Sequence, residues 1–126
     1  MAGVTDAELH AQRLDGQVVL SVTGEIDLEN AGRARERIVS SVPSGAQGIV
    51  LDLSNVSHLD SAGVRLLFDL ARRLRDRRQE LAVVAPSHSL LRDILAVVSL
   101  DRVATVTETL DEALAGLRAW DGELGP

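Results

Sequence analysis

Two short stretches without a polar residue, Ile49-Val50-Leu51 and Leu81-Ala82-Val83-Val84, constrain the fold more than anything else in the chain. Runs this brief and this apolar fit strands buried on both faces, which occur in parallel sheets covered by helices. The first extends over Gly48 to Leu53. Between the two runs Val64, Leu67, Phe68, Ala71 and Leu74 recur at helical spacing, and the basic run Arg75 to Arg78 suits the negative end of that helix. The result is a strand-helix-strand unit, with the polar segment Ser54 to His58 expected as the loop that joins the first strand to its helix.

The flanks extend the same alternation. Residues 8 to 14 and 17 to 23 surround Asp15-Gly16, a dipeptide suited to the positive φ angles of a tight hairpin turn, so the first two strands should pair antiparallel. Leu28, Ala31, Ala34, Ile38 and Val42 then mark the inner face of a helix that Pro43-Ser44-Gly45 ends, with Arg33, Arg35, Glu36 and Arg37 toward solvent. After the second apolar run, Ser87 or Ser89 can cap a helix carrying Leu90, Leu91, Ile94, Leu95 and Val98. Val103 to Val106 is a last short strand. Thr109-Leu110-Asp111-Glu112 matches a capping box and starts a final helix with Leu110, Ala113, Leu114 and Leu117 inward. The expected architecture is α/β: a mixed sheet of about five strands, an N-terminal antiparallel hairpin followed by right-handed crossovers, with about four helices. One domain over residues 1 to 126 is expected, with its core at about 8 to 119 and Gly122 to Pro126 loosely held.

Composition narrows the function. A formal net charge of −6 and 2% aromatic residues, from Phe68 and Trp120, supply neither a cationic field for phosphates nor a stacking platform for bases, so direct nucleic-acid binding is not expected. With no cysteine there is no disulfide, thiol catalysis or Cys-ligated metal. No signal peptide and no apolar run long enough for a membrane span is visible, and a cytoplasmic protein is expected. Neither dinucleotide-binding nor P-loop glycine patterns occur, and His10, His58 and His88 are too scattered for a metal site.

The chemically distinctive residue is Ser61. It stands where a buried strand has ended and a helix begins, so Asp60 or Ser61 should be the N-cap, and a hydroxyl there is reachable. A phosphate placed on it would meet unpaired N–H groups and the positive end of the helix dipole, while Gly63 would leave the approach open. A hydrolase reading, with Ser61 as nucleophile, His58 as base and Asp52 or Asp60 as orienter, lacks the Gly-x-Ser-x-Gly elbow. The bland readings are a capping hydroxyl for Ser61, a helix-start carboxylate for Asp27, a strand-terminating turn for Gly24 and an ordinary loop histidine for His58.

Asp60-Ser61-Ala62-Gly63, after a strand and a short loop, resembles the Asp-Ser-(Ser/Ala)-Gly motif of STAS domains of the anti-sigma factor antagonist type. Gly24-Glu25-Ile26-Asp27 is similar to the family's Gly-Glu-(Leu/Ile)-Asp, and Ser99-Leu100-Asp101-Arg102 extends the likeness toward the last strand. The resemblance implies a protein-binding switch, not an enzyme. An anti-sigma factor serine kinase of the histidine-kinase-like fold would be trapped by the unmodified chain, freeing a sigma factor. It would be released when it phosphorylates Ser61, and a separate serine phosphatase would reset the site. The contact surface would comprise Asp27, Asp60, Ser61, Ala62, Gly63 and Arg65. ATP and magnesium would come with the kinase, and this chain is expected to hold no cofactor. Ala62 stands where a second serine is frequent, and Arg65 could pair with a phosphate on Ser61. Two rivals remain. One is a STAS scaffold or accessory subunit of a signalling assembly or lipid transporter, disfavoured by the expected lack of an extra sensory domain. The other is a small-ligand carrier.

Overall fold

The computed structural model describes residues 7–120 of the 126; the tail from Gly122 lies outside the described residues. A hairpin of β1 (Glu8–Leu14) and β2 (Gln17–Ile26) turns through Asp15 and Gly16, with φ of 53° and 78°. Then follow α1 (Ala31–Ser41), β3 (Gly48–Leu59), α2 (Ser61–Asp76), β4 (Glu80–Val84), α3 (Leu90–Val97), a 3₁₀ turn at Leu100–Arg102, β5 (Thr105–Thr107) and α4 (Leu110–Ala119). The five strands lie in sequence order; β1 and β2 pair antiparallel and every other neighbouring pair is parallel.

That order decides where the helices go. Each of the three crossovers from β2 to β5 steps in the same direction, so a uniform right-handed sense places α1, α2 and α3 on one face. There Val18, Leu20, Ile49, Leu51, Leu53, Leu81 and Val83 pack against Ile38, Leu67, Leu70, Leu74 and Leu95. Strand side chains alternate between faces, and Val19, Val50, Ala82 and Val84 point the other way, toward Ala113, Leu114 and Leu117 of α4. The wholly apolar strands are thus covered on both sides. Thr109 and Glu112 form the expected capping box at α4, and Ser89 caps α3.

Several boundaries differ from the sequence reading. Ser54 to His58 is strand, not loop: β3 runs on to Leu59 because the end of β2 (Thr23 to Ile26) continues beside it and satisfies its backbone. This stretch is polar because Ser54, Asn55, Ser57 and His58 project beyond the helical cover and are exposed. Gly24 does not end β2; with φ 96° it sits at a register shift inside the strand. Leu28 is outside α1 and 81% exposed, since Asp27 and Asn30 lock residues 27 to 30 into a turn before the helix. On α2 Leu66 and Leu70 are fully inside while Val64 and Phe68 are half-buried, and on α3 Leu90 is exposed. The last strand is Thr105–Thr107, displaced by the 3₁₀ turn and Val103.

The end of the sheet opposite Ser61 is tied by a buried ion pair. Glu80, 2% exposed, takes Arg75 Nε at 2.9 Å and Nη2 at 3.1 Å and the Thr105 hydroxyl at 2.7 Å. Arg75 also lies over the Trp120 ring, 5.3 Å from its centroid. Part of the basic run that ends α2 therefore turns back into the fold.

Candidate functional site

Because β2 and β3 are parallel, the turns that leave them lie together at the carboxyl edge of the sheet, the edge where open α/β sheets place their sites. The turn after β2 is self-contained. Asp27 Oδ1 accepts the Glu29 and Asn30 N–H groups at 3.0 and 3.2 Å, Asn30 Oδ1 accepts the Asp27 N–H at 3.0 Å, and Asn30 Nδ2 donates to the Glu25 carbonyl at 2.8 Å. Asn30 is buried, so this pairing satisfies a polar side chain with no access to water. The Asp27 carboxylate holds the turn that precedes α1, whose N-cap is Asn30.

Asp60 joins this turn to the start of α2. Its Oδ1 accepts the Ala62 and Gly63 N–H groups at 2.9 and 3.1 Å, which makes it the N-cap. Its Oδ2 accepts the Leu28 N–H at 3.3 Å, and its own N–H reaches the Ile26 carbonyl at 3.3 Å. One carboxylate therefore fixes the position of Leu28 relative to Ser61. Ser61 itself is the first residue of the helix and exposed, and its hydroxyl has no hydrogen-bond partner among the described residues. The cap is Asp60, and the serine is left free.

Gly63 has a different role from the open approach expected of it. It is buried and faces the sheet, where a Cβ would overlap Leu59 Cδ1 and stand 3.0 Å from Leu59 Cγ and 3.2 Å from Ile26 Cγ2. Glycine is needed for α2 to start this close to the ends of β2 and β3. Ala62 is half-buried and Arg65 exposed, one turn beyond Ser61.

On the other side of the serine an open groove of about 290 Å³ runs between α1 and α2, lined by Leu28, Arg35, Ser61, Ala62, Arg65 and Asp69 among others. Arg35 Nη1 is 3.7 Å from Asp69 Oδ2 and Nη2 is 3.8 Å from Glu36 Oε2. Leu28, Arg35 and Asp69 were not singled out in the sequence as site residues. Their only signal there is position: Asp69 lies two helical turns beyond Ser61, and Arg35 was assigned to the solvent side of its helix. His58 is exposed on β3, opposite Glu25 of β2, and has no hydrogen bond to Ser61; Asp52 Oδ1 takes the Ser54 N–H at 2.9 Å and hydroxyl at 2.6 Å.

The family model of the STAS domain matches residues 8–113, from β1 into α4. The chain belongs to the STAS domain family. Its relatives include the anti-sigma-F factor antagonist RsfB of Mycobacterium tuberculosis, 34% identical over 104 residues, which cover 82% of this chain and 84% of that protein. The crystal structure of an anti-sigma factor antagonist from Mycobacterium paratuberculosis superposes with a TM-score of 0.79 at 29% identity, over 94% of this chain and 99% of that one. SpoIIAA, an anti-sigma factor antagonist of Bacillus solved unphosphorylated and phosphorylated, shares the fold at TM-scores of 0.67 and 0.60, with 21% and 20% identity over 88% of this chain and 96% and 100% of those chains. The antagonist-type resemblance of Asp60-Ser61-Ala62-Gly63 thus agrees with relatives that match the whole STAS domain. No helix among the described residues is long and apolar enough to cross a membrane.

Proposed function

We propose that this STAS domain is an anti-sigma factor antagonist: unmodified, it binds an anti-sigma factor serine kinase and so releases a sigma factor, and phosphorylation of Ser61 switches it off. The observation that carries this reading is the free, exposed Ser61 hydroxyl presented beside the Asp60 cap, at the edge where the turns after β2 and β3 meet. Relatives named as anti-sigma factor antagonists support the partner class. The kinase would transfer the γ-phosphoryl group of ATP to Ser61 Oγ, breaking the bond to ADP while the hydroxyl proton leaves to a base on the kinase. A serine phosphatase would reset the site by hydrolysis.

Phosphorylation adds about −1.5 to −2 charges at the centre of the contact surface. Asp27, Glu29 and Asp60 already make this edge acidic, so a docked partner would have to desolvate the phosphate beside like charges. Affinity should fall by several kcal/mol with little change in fold. The kinase partner in catalytically inactive form serves for the test, with wild type, Ser61→Ala, Ser61→Asp and phosphorylated protein compared by calorimetry. Ser61→Ala should bind like wild type, whereas Ser61→Asp and the phosphoprotein should bind at least tenfold more weakly. Equal affinities across all four would sink the mechanism and favour a constitutive scaffold.

A further inference from the structure

We propose that a phosphate on Ser61 is received within the chain by the guanidinium groups of Arg65 and Arg35, in the groove between α1 and α2, rather than by the amino end of α2. The inference rests on the reading of Ser61 as phosphoacceptor and adds how the modified state is held. The amino end of the helix is already filled. Ala62 and Gly63 donate to Asp60 Oδ1, and the Val64 N–H donates to the Asp60 carbonyl at 3.0 Å. The Leu28 N–H of the neighbouring turn takes Oδ2. A phosphate there would find the N–H of Ser61 alone and would face the Asp60 carboxylate, so the usual attraction of a helix start for an anion is spent on the cap.

The groove offers what the helix start lacks. Ser61 and Arg65 are one turn apart on α2 and line it together, and side chains four residues apart on a helix are neighbours. Arg35 enters from α1. Its contacts to Asp69 and Glu36, 3.7 and 3.8 Å, are at the long end for an ion pair, and its Nε–H is buried without an acceptor among the described residues. Buried donors without acceptors are rare in folded proteins, and an incoming phosphate oxygen would supply one. Phosphoserine brings three strong acceptor oxygens, and the planar guanidinium fork suits two of them at once. Asp69 would then lose its hold on Arg35. Phosphorylation changes the contact surface twice: it adds negative charge, and it draws in Arg65, an exposed cation one turn from the serine.

The test uses the full chain with phosphoserine encoded genetically at position 61, and no partner. Thermal unfolding should show the phosphorylated protein raised by roughly 4 °C over the unmodified one at low salt, with the rise shrinking at high salt. In Arg65→Gln and Arg35→Gln the rise should fall to less than half, while Arg77→Gln, an exposed arginine at the far end of α2, should keep it. A rise that survives either groove substitution, or phosphorylation that lowers the melting temperature of the wild type, would overturn the proposal. If Arg35→Gln fails to fold, Arg65→Gln decides alone, since Arg65 is exposed and makes no ion pair among the described residues. The readout involves neither kinase nor binding, so its failure is distinct from equal partner affinities, which would defeat the proposed function instead.

Discussion

Gly63→Ala separates two roles for the glycine of Asp60-Ser61-Ala62-Gly63. If the glycine only keeps the serine accessible, alanine in the first turn of α2 should stabilise the fold by up to about 1 kcal/mol, the difference in helix propensity. The packing predicts the opposite sign. The added Cβ would overlap Leu59 Cδ1, with Leu59 Cγ and Ile26 Cγ2 close behind at 3.0 and 3.2 Å. Leu59 is 5% exposed and Ile26 1%, so neither can swing into solvent. Overpacking of a closed site costs about 1–3 kcal/mol. Set against the propensity gain, the net expectation is destabilisation by up to about 2 kcal/mol. The displaced first turn would also strain the hydrogen bonds from Ala62, Gly63 and Leu28 to Asp60. Urea unfolding followed by far-ultraviolet circular dichroism measures this directly, and a double-mutant cycle identifies its cause. Leu59→Ala alone should cost about 2–4 kcal/mol through its cavity, but it makes room for the new methyl, so the double variant should be more stable than the sum by at least about 1 kcal/mol. A Gly63→Ala protein as stable as wild type, or single effects that add within about 0.5 kcal/mol, would refute the argument that close approach requires glycine here.

Asn30→Ala should lose about 2 kcal/mol in the same urea assay, because it removes a buried side chain and leaves the partly buried Asp27 N–H and Glu25 carbonyl without it as partner. Glu80→Ala should cost about 3 kcal/mol, since it strands the Arg75 guanidinium and the Thr105 hydroxyl. Replacing Glu80 and Arg75 together by methionine and leucine should recover most of that loss in thermal unfolding. Trp120 is the single tryptophan of the chain, and its indole donates to the Arg78 carbonyl at 3.0 Å. Its fluorescence should therefore change in Glu80→Ala even under native conditions, and an unchanged spectrum would show that Arg75 holds its place over the ring without Glu80.

The strand and helix order was legible because the relevant signals are local. The run Leu81 to Val84 can be satisfied only inside two layers, Asp15-Gly16 turns a hairpin by its own backbone preference, and Thr109 with Glu112 closes a box within four residues. The misread segments depended on a neighbour. Ser54 to His58 carries loop composition, yet β2 beside it supplies the ladder that makes it strand. Leu28 carries helix-face periodicity, yet Asp27 and Asn30 bind one another first and leave it outside α1.

By itself the sequence determined the α/β class, the position of Ser61 at a helix start and the STAS resemblance, each set by residues within a few positions of one another. Tertiary structure alone decided what surrounds the serine. Parallel pairing of β2 and β3 brings Leu28 within reach of Asp60, packing of α1 against α2 puts Arg35 in the groove beside Ser61, and the tight seat on Leu59 and Ile26 makes Gly63 a packing residue. Leu28 and Asp60, Arg35 and Ser61, and Ile26 and Gly63 are each separated by about 30 positions along the chain, so no local pattern encodes their contact; it arises only when the sheet forms and its two turns meet at one edge.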